Sequence, residues 1–213
     1  MRQKIGHGVT KSVYLGRNVS EFDGTQRPVA VKMVTRNSLD VTNCMRQLPA
    51  NADTAAGRRR CFVPANMKLM KEILLLNQLR HRGLVPLLGY CVRSEETEST
   101  SLQDHGVLAV YEYGTHFYAA AMKDWSLYRR LDTAMQLADL VAYLHRSPLG
   151  SLRVSDFKET HFLLLDKGRR IVMTDLDDVT SAQPSCRNSR LTDGLDVTST
   201  NCPYGLQVGY LSS

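Results

Sequence analysis

Residues 154–178, VSDFKETHFLLLDKGRRIVMTDLDD, constrain this chain more than any other stretch. Two apolar runs, Phe162 to Leu165 and Ile171 to Met173, flank the turn residues Asp166-Lys167-Gly168. That is the pattern of two short strands joined by a glycine-containing hairpin. Such a hairpin brings the residues before its first strand close to those after its second. Asp156 and His161 on one side and Asp175 on the other are therefore expected to converge at one end. A carboxylate that can accept a hydroxyl proton, beside one that can hold a metal, is what phosphoryl transfer from a nucleotide requires. The same residues could make a polar hairpin on a solvated surface, so the rest of the chain has to decide.

A chain of 213 residues is long enough for one domain or two small lobes with a sizeable core. Its 43% hydrophobic and 23% charged residues are an ordinary globular composition. The net charge of +6 suits an anionic ligand such as a nucleotide. Arg58, Arg59 and Arg60 read as a solvated loop, and no basic stripe interleaved with aromatics points to nucleic acid. No apolar run approaches the roughly 18 residues of a membrane span. The opening MRQKIGHGVT lacks the apolar segment of a signal peptide. The five cysteines contain no CxxC pair, which argues against zinc. Cys44 and Cys61 bracket one polar loop, and Cys186 and Cys202 a polar tail. Two loop-closing disulfides with Cys91 buried and free would fit, and so would five reduced thiols.

Residues 4–15, KIGHGVTKSVYL, read as strand, glycine-rich turn, strand. Gly6 and Gly8 permit close backbone approach to a ligand, although Lys11 stands where a third glycine of a GxGxxG loop would fall. Asn18-Val19-Ser20 is a glycosylation sequon at an exposed turn, meaningful in a secreted chain. In the strand VAVKMV, Lys32 faces opposite to Val31 and Met33. After a long polar segment (37–60), residues 65–80 carry a helical apolar stripe of Leu69, Ile73, Leu76 and Leu79. Glu72 falls inside that stripe, where a carboxylate is costly unless paired. Lys32 is the natural partner, with Lys68 and Lys71 as local alternatives. HRGLVPLLGYC (81–91) gives a turn and strand, and GVLAVYEYG (106–114) a buried strand crossing out of the sheet. Leu131, Ala134, Met135, Ala138, Val141, Ala142 and His145 form one face of a helix starting at Ser126, which Ser147-Pro148-Leu149-Gly150 ends. Beyond Asp178 no periodicity is sustained, and residues 180–213 read as loop or disorder.

The order of these pieces resembles a protein kinase: glycine-rich loop, strand lysine, helix glutamate, HRGLVPLLGY, VYEY, a long helix, D-x-K and DLD. The finer features resemble the secreted vertebrate lonesome kinase group, extracellular tyrosine-protein kinases. These are the two-cysteine loop before the Glu72 helix, LLGYC, HRSPLGS, DFKETHFLLLD and TDLDD. Protein O-mannose kinase shares LGYC, SPLG and DLD more distantly. The resemblance implies an α+β, kinase-like bilobal fold: an N-lobe with hinge over residues 1–114, a partial helical C-lobe over 115–180, and a truncated, poorly ordered activation-segment region over 181–213. It implies an ATP-dependent transfer of the γ-phosphate to a protein hydroxyl, tyrosine in that group, with Mg²⁺ or Mn²⁺. The loop Gly6, Gly8 and Val13 would cover the phosphates, and Lys32, oriented by Glu72, would hold them. Tyr111 would be the gatekeeper, and Glu112 and Tyr113 would offer backbone groups to adenine. Asp156 would take the hydroxyl proton, Lys158 would neutralise the transferred phosphate, and Asp175 with His161 would bind the metal. The resemblance also implies a Cys44–Cys61 disulfide, glycosylation at Asn18, secreted or luminal protein substrates, and a Golgi or extracellular location.

Three departures stand out. His161 replaces the usual asparagine and is a poor magnesium ligand but a better one for softer ions. Val154 and Ser155 replace the usual histidine and arginine, and DLD replaces DFG. The chain is also short for a kinase domain, so a fragment is expected, one that is by itself inactive. A glycan kinase of the O-mannose type and a catalytically dead pseudokinase acting as a binding module are the alternatives.

Overall fold

β-Branched and alternating apolar residues in the first third, and again around residues 87 and 110, build one antiparallel sheet in the computed structural model. The structure describes residues 3–19, 24–52, 54–93 and 106–181. Ser20 of the sequon, most of the polar loop after β4, Cys186, Cys202 and nearly all of the region 181–213 lie outside the described residues.

Strands β1 (Lys4–His7), β2 (Ser12–Val19) and β3 (Gln26–Met33) form a meander. The polar segment after them folds into helices α1 (Leu39–Arg46) and α2 (Ala55–Arg60), and α3 (Val63–Gln78) follows directly. Arg58, Arg59 and Arg60 thus end a helix and are not a loop. Thr54 caps α2 by accepting from the Gly57 N–H at 3.1 Å. β4 (Leu87–Arg93) and β5 (Gly106–Glu112) complete the sheet, whose strand order is β1-β2-β3-β5-β4. Cys44 and Cys61 are joined in a disulfide that ties α1 to the junction of α2 and α3. Around it Val34, Val41, Phe62 and Ala65 form a small core of their own. Cys91 is free but exposed, on the edge strand β4, not buried as its residue type suggests.

The second half begins with β6 (Thr115–His116) and α4 (Leu127–His145), whose first turn is capped by Ser126 accepting from the Arg129 N–H at 3.3 Å. β7 (Arg153–Val154) pairs with β10 (Val179–Thr180). The hairpin expected from the sequence is β8 (Phe162–Leu165) and β9 (Arg170–Met173), with Asp166, Lys167 and Gly168 all at positive φ in its turn. Gly114, where the chain leaves the sheet, lies so close to β8 that a Cβ would come within 2.7 Å of Leu165 Cδ2.

One helix face corrects the sequence reading. α4 turns Thr133, Leu137, Leu140 and Leu144 to the core, while Leu131, Met135 and Val141 are exposed. At about 100° per residue Leu131 and Met135 lie opposite the buried set and Val141 on its flank, and a helix with apolar residues on both sides offers periodicity no basis for choosing between them. Gln136 fixes the orientation, donating to Arg169 O at 3.0 Å and accepting from the Ile171 N–H at 3.1 Å.

The two halves share one core in which Leu69, Ile73 and Leu76 of α3 join Phe162, Val172 and Met173 of the hairpin. Backbone bonds stitch them as well: Val85 N–H to Met173 O at 3.0 Å and Met173 N–H to Gly83 O at 2.7 Å. That clamp sets the residues after Met173 beneath α3.

The disulfide closes a loop of 17 residues in sequence separation, so its loss is expected to cost about 3 kcal/mol through the unfolded chain. Paired Cys44→Ser and Cys61→Ser substitutions should lower the thermal midpoint, measured by differential scanning fluorimetry, whereas Cys91→Ser should leave it within a degree or so.

Candidate active site: a lysine-carboxylate cluster under the glycine-rich turn

Glu72 sits at the middle of α3 with no solvent exposure, among Leu69, Ile73 and Leu76. A lone carboxylate there would be prohibitively costly, and both of its oxygens are engaged. Oε1 accepts from Lys32 Nζ at 2.7 Å, and Oε2 from Lys11 Nζ at 2.9 Å. Burial pushes the Glu72 pKa up, but the charges of Lys32 and Lys11 outweigh it and hold the carboxyl below its ordinary value. The local alternatives are otherwise engaged: Lys68 pairs with Asp40 at 3.3 Å, and Lys71 donates to Asp177 O at 2.6 Å.

Lys32 lies on the central strand β3, paired with Val13 of β2 and Ala109 of β5. Its ammonium also donates to Thr174 Oγ1 at 2.8 Å and stands 5.0 Å from the ring centroid of Tyr111. Tyr111 is buried, and its hydroxyl is the one buried side-chain polar atom without a partner among the described residues. Burial, then the charge of Glu72, pushes its pKa up, so it remains a neutral donor.

The hairpin does what its pattern predicts. His161 and Thr174 flank the Phe162–Met173 pair, and the Thr174 N–H donates to His161 O at 2.8 Å. Asp175 follows in the left-handed region (φ 66, ψ 64), a conformation aspartate tolerates better than most residues. Its Oδ1 bonds to Lys11 Nζ and lies 3.8 Å from Lys32 Nζ, and its Oδ2 is 3.5 Å from His161 Nε2. Burial works against the Asp175 charge, but Lys32 and Lys11 more than compensate, and its pKa falls well below the carboxylate range. His161 Nδ1 lies 2.9 Å from Asp156 O, an acceptor only, so Nδ1 carries the proton. Its Nε2 faces Asp175 and Asp156, whose Oδ2 is 3.7 Å away. Asp156 also binds Lys158 Nζ at 2.5 Å, and that hydrogen bond raises the Lys158 pKa.

Asp156, Lys158, His161, Lys32 and Asp175 all line one cleft of about 770 Å³, floored by Ala30, Val85 and Leu163 and roofed by residues 5–11. Gly6, Gly8 and Val13 belong to its wall. Glu112 reaches it, but its N–H is already donated to Pro86 O at 3.1 Å and its carboxylate is paired with Arg170 at 3.1 Å. Tyr113 is left off the wall, which passes through Gly114. Asn18 lies apart, exposed on β2 opposite Arg27.

An apolar slot ending in a lysine-carboxylate cluster fits a nucleotide: base at one end, phosphates at the other. Asp175 Oδ2 and His161 Nε2, 3.5 Å apart, could share one divalent ion. No group of three metal-binding side chains is gathered among the described residues, so such an ion would take its other ligands from phosphate and water, as magnesium and manganese do.

The sequence reading missed Lys11, Thr174 and Asp177. Lys11 is buried and reaches Asp177 Oδ2 at 3.1 Å besides Glu72 and Asp175. Burial raises the Asp177 pKa in spite of Lys11, whereas the three carboxylates raise that of Lys11 in spite of its burial.

A five-stranded antiparallel sheet with one crossing helix, a strand lysine held by a helix glutamate, and a hairpin presenting two aspartates to the same cleft define a protein-kinase-like domain. The chain belongs to the family described as the protein-kinase domain of FAM69, whose family model matches residues 66–202. It is 32% identical over 187 residues to the human extracellular tyrosine-protein kinase PKDCC, covering 88% of this chain and 34% of that protein. A probable LRR receptor-like serine/threonine-protein kinase of Arabidopsis thaliana is 31% identical over 180 residues (81% of this chain, 15% of that protein). The receptor-like kinase TMK4 of the same plant is 32% identical over 135 residues (58% and 14%). The chain thus spans about a third or less of the relatives it matches.

Removing one partner of a buried ion pair leaves the others uncompensated. Glu72→Ala should therefore destabilise the fold by about 3–5 kcal/mol, while Lys158→Ala, at an exposed pair, should cost less than about 1 kcal/mol. Urea unfolding of the two variants checks the contrast, and similar losses would contradict the assigned geometry.

Proposed function

We propose that this chain carries the nucleotide-holding part of an ATP-dependent protein kinase of the secretory pathway, transferring the γ-phosphate to a tyrosine hydroxyl. The observation that carries the proposal is the meeting of Lys32, Glu72, Asp156 and Asp175 at one cleft. Residues 1–114 act as the gripping lobe with its hinge, 115–180 as the first part of the second lobe, and 181–213 as the activation-segment region. Bound ATP with its divalent ion supplies the transferable phosphoryl group. Gly6 and Gly8 let the roof close over the phosphates, Lys32 pairs with their oxygens, and Glu72 keeps Lys32 in place. Asp175 and His161 hold the ion, and an imidazole among the ligands favours Mn²⁺ over Mg²⁺. Asp156 orients the acceptor hydroxyl and takes its proton, and Lys158 balances charge on the phosphate in transit. The carbonyl of Glu112 and the backbone of Gly114 are the groups at the wall that can meet adenine.

The Cys44–Cys61 disulfide supports an oxidising compartment, Golgi lumen or extracellular space, and the exposed Asn18 supports glycosylation there. No helix among the described residues is long and apolar enough to cross a membrane. Tyrosine as acceptor follows the human relative's name. Lys158, two residues after the aspartate, resembles serine/threonine kinase loops, and the LRR receptor-like plant relative carries that specificity in its name. A protein-linked glycan is the other candidate acceptor.

In the full-length protein, Lys32→Met or Asp156→Asn should reduce phosphate transfer to a tyrosine peptide by about 10²–10⁴-fold while secretion continues. Undiminished transfer in either variant overturns the assignment. Offering tyrosine, serine and O-mannosyl acceptors side by side to the wild-type protein identifies the acceptor.

A further inference from the structure

Lys11 is the residue that the roles above leave unexplained. It ends the turn between β1 and β2, in which the Gly8 N–H donates to Lys11 O at 2.8 Å. Its backbone has no positive φ, so nothing in the turn requires a glycine there. The side chain runs inward from the roof of the cleft, and only 6% of it is exposed. An ammonium has three protons, and each meets a different carboxylate: Glu72, Asp175 and Asp177.

That arrangement is complete only while Asp175 is free of metal. A divalent ion at Asp175 Oδ2 would share one carboxylate with the ammonium at Oδ1, and two cations on one partly buried carboxylate repel. Lys32 does not face the same conflict, because Glu72 and Thr174 hold it at 2.7 and 2.8 Å and Asp175 is 3.8 Å away. Lys11 is therefore the cation with ligands to lose. It is also carried on a turn, which can shift, and not on the central strand. Once released, a buried ammonium needs another anion, and the one that arrives with the metal is the polyphosphate.

We propose that Lys11 is a second phosphate-anchoring lysine, held on Asp175 and Asp177 in the nucleotide-free cleft and transferred to the phosphate oxygens when the metal-nucleotide complex binds. The inference rests on the reading of the cleft as a nucleotide site. It makes the roof an active part of the grip, with Lys32 the fixed lysine and Lys11 the exchanging one.

Calorimetric titration of the full-length protein with ATP, adenosine and Mn²⁺ alone tests it. Lys11→Met should weaken ATP by about tenfold or more, the worth of one charge-assisted hydrogen bond, and leave adenosine unchanged. The same substitution should strengthen Mn²⁺ binding without nucleotide, because the competing ammonium is gone. An unchanged ratio of ATP to adenosine affinity overturns the inference alone. A wild-type protein that binds no ATP overturns the nucleotide reading and the inference with it. Should the variant fail to fold, an acyl-phosphate derivative of ATP applied to the wild-type protein decides, since it acylates lysine amines beside the phosphates. Acylation of Lys11, suppressed by excess ATP, supports the role, and acylation confined to Lys32 refutes it.

Discussion

One buried carboxylate organises this molecule. Glu72 has no exposure, and each of its oxygens holds a lysine from a different part of the sheet. Lys32 comes from its central strand and Lys11 from the turn that roofs the cleft. Through Lys11 and Lys32 the carboxylate is coupled to Asp175, and through Asp175 to His161 and Asp156. A helix, a sheet and a hairpin are thereby held at one distance by charge that none of them can bury alone. Replacing Glu72 with an apolar residue would take from Lys32 its close carboxylate and from Lys11 one of three, so the pairing acts as a specification of geometry more than as a source of stability.

The apolar core does the complementary work. Leu69, Ile73 and Leu76 on α3 pack with Phe162, Val172 and Met173 of the β8–β9 hairpin, and the backbone bonds between residues 83–85 and Met173 fix the hairpin's height. Thr174 and Asp175 emerge from that clamp directly under Glu72. His161, one residue before the hairpin, donates from Nδ1 to the Asp156 carbonyl, and its Nε2 faces the carboxylates of Asp156 and Asp175. Among the described residues, the non-glycine positions with left-handed backbone are Asp166 and Lys167 in the turn and Asp175 in the cleft.

Much of this was legible in the sequence, for stated reasons. The hairpin follows from two apolar runs around a glycine-containing turn. The Lys32–Glu72 pair follows from the cost of a carboxylate within an apolar helical stripe. What was not legible shares a different cause. Lys11 reads as a missing glycine because turns have no periodicity to show where a side chain points. Thr174 is too small and common to stand out. α4 carries apolar residues on both sides, so Leu131 and Met135 marked a face as plausible as the one that Leu140 and Leu144 bury. The polar segment 37–60 hid α1 and α2, short helices held by the Cys44–Cys61 bond more than by an apolar stripe. Cys91 follows its edge strand to the surface.

Coupling between Glu72 and Lys32 in nucleotide binding is the most direct test of this account. A double-mutant cycle of Lys32→Met and Glu72→Gln, read as ATP affinity by calorimetry, separates a helix glutamate that works through the strand lysine from one that merely packs the core. The account predicts that the double variant loses clearly less ATP affinity than the two single losses add up to. Losses that add in full would contradict it.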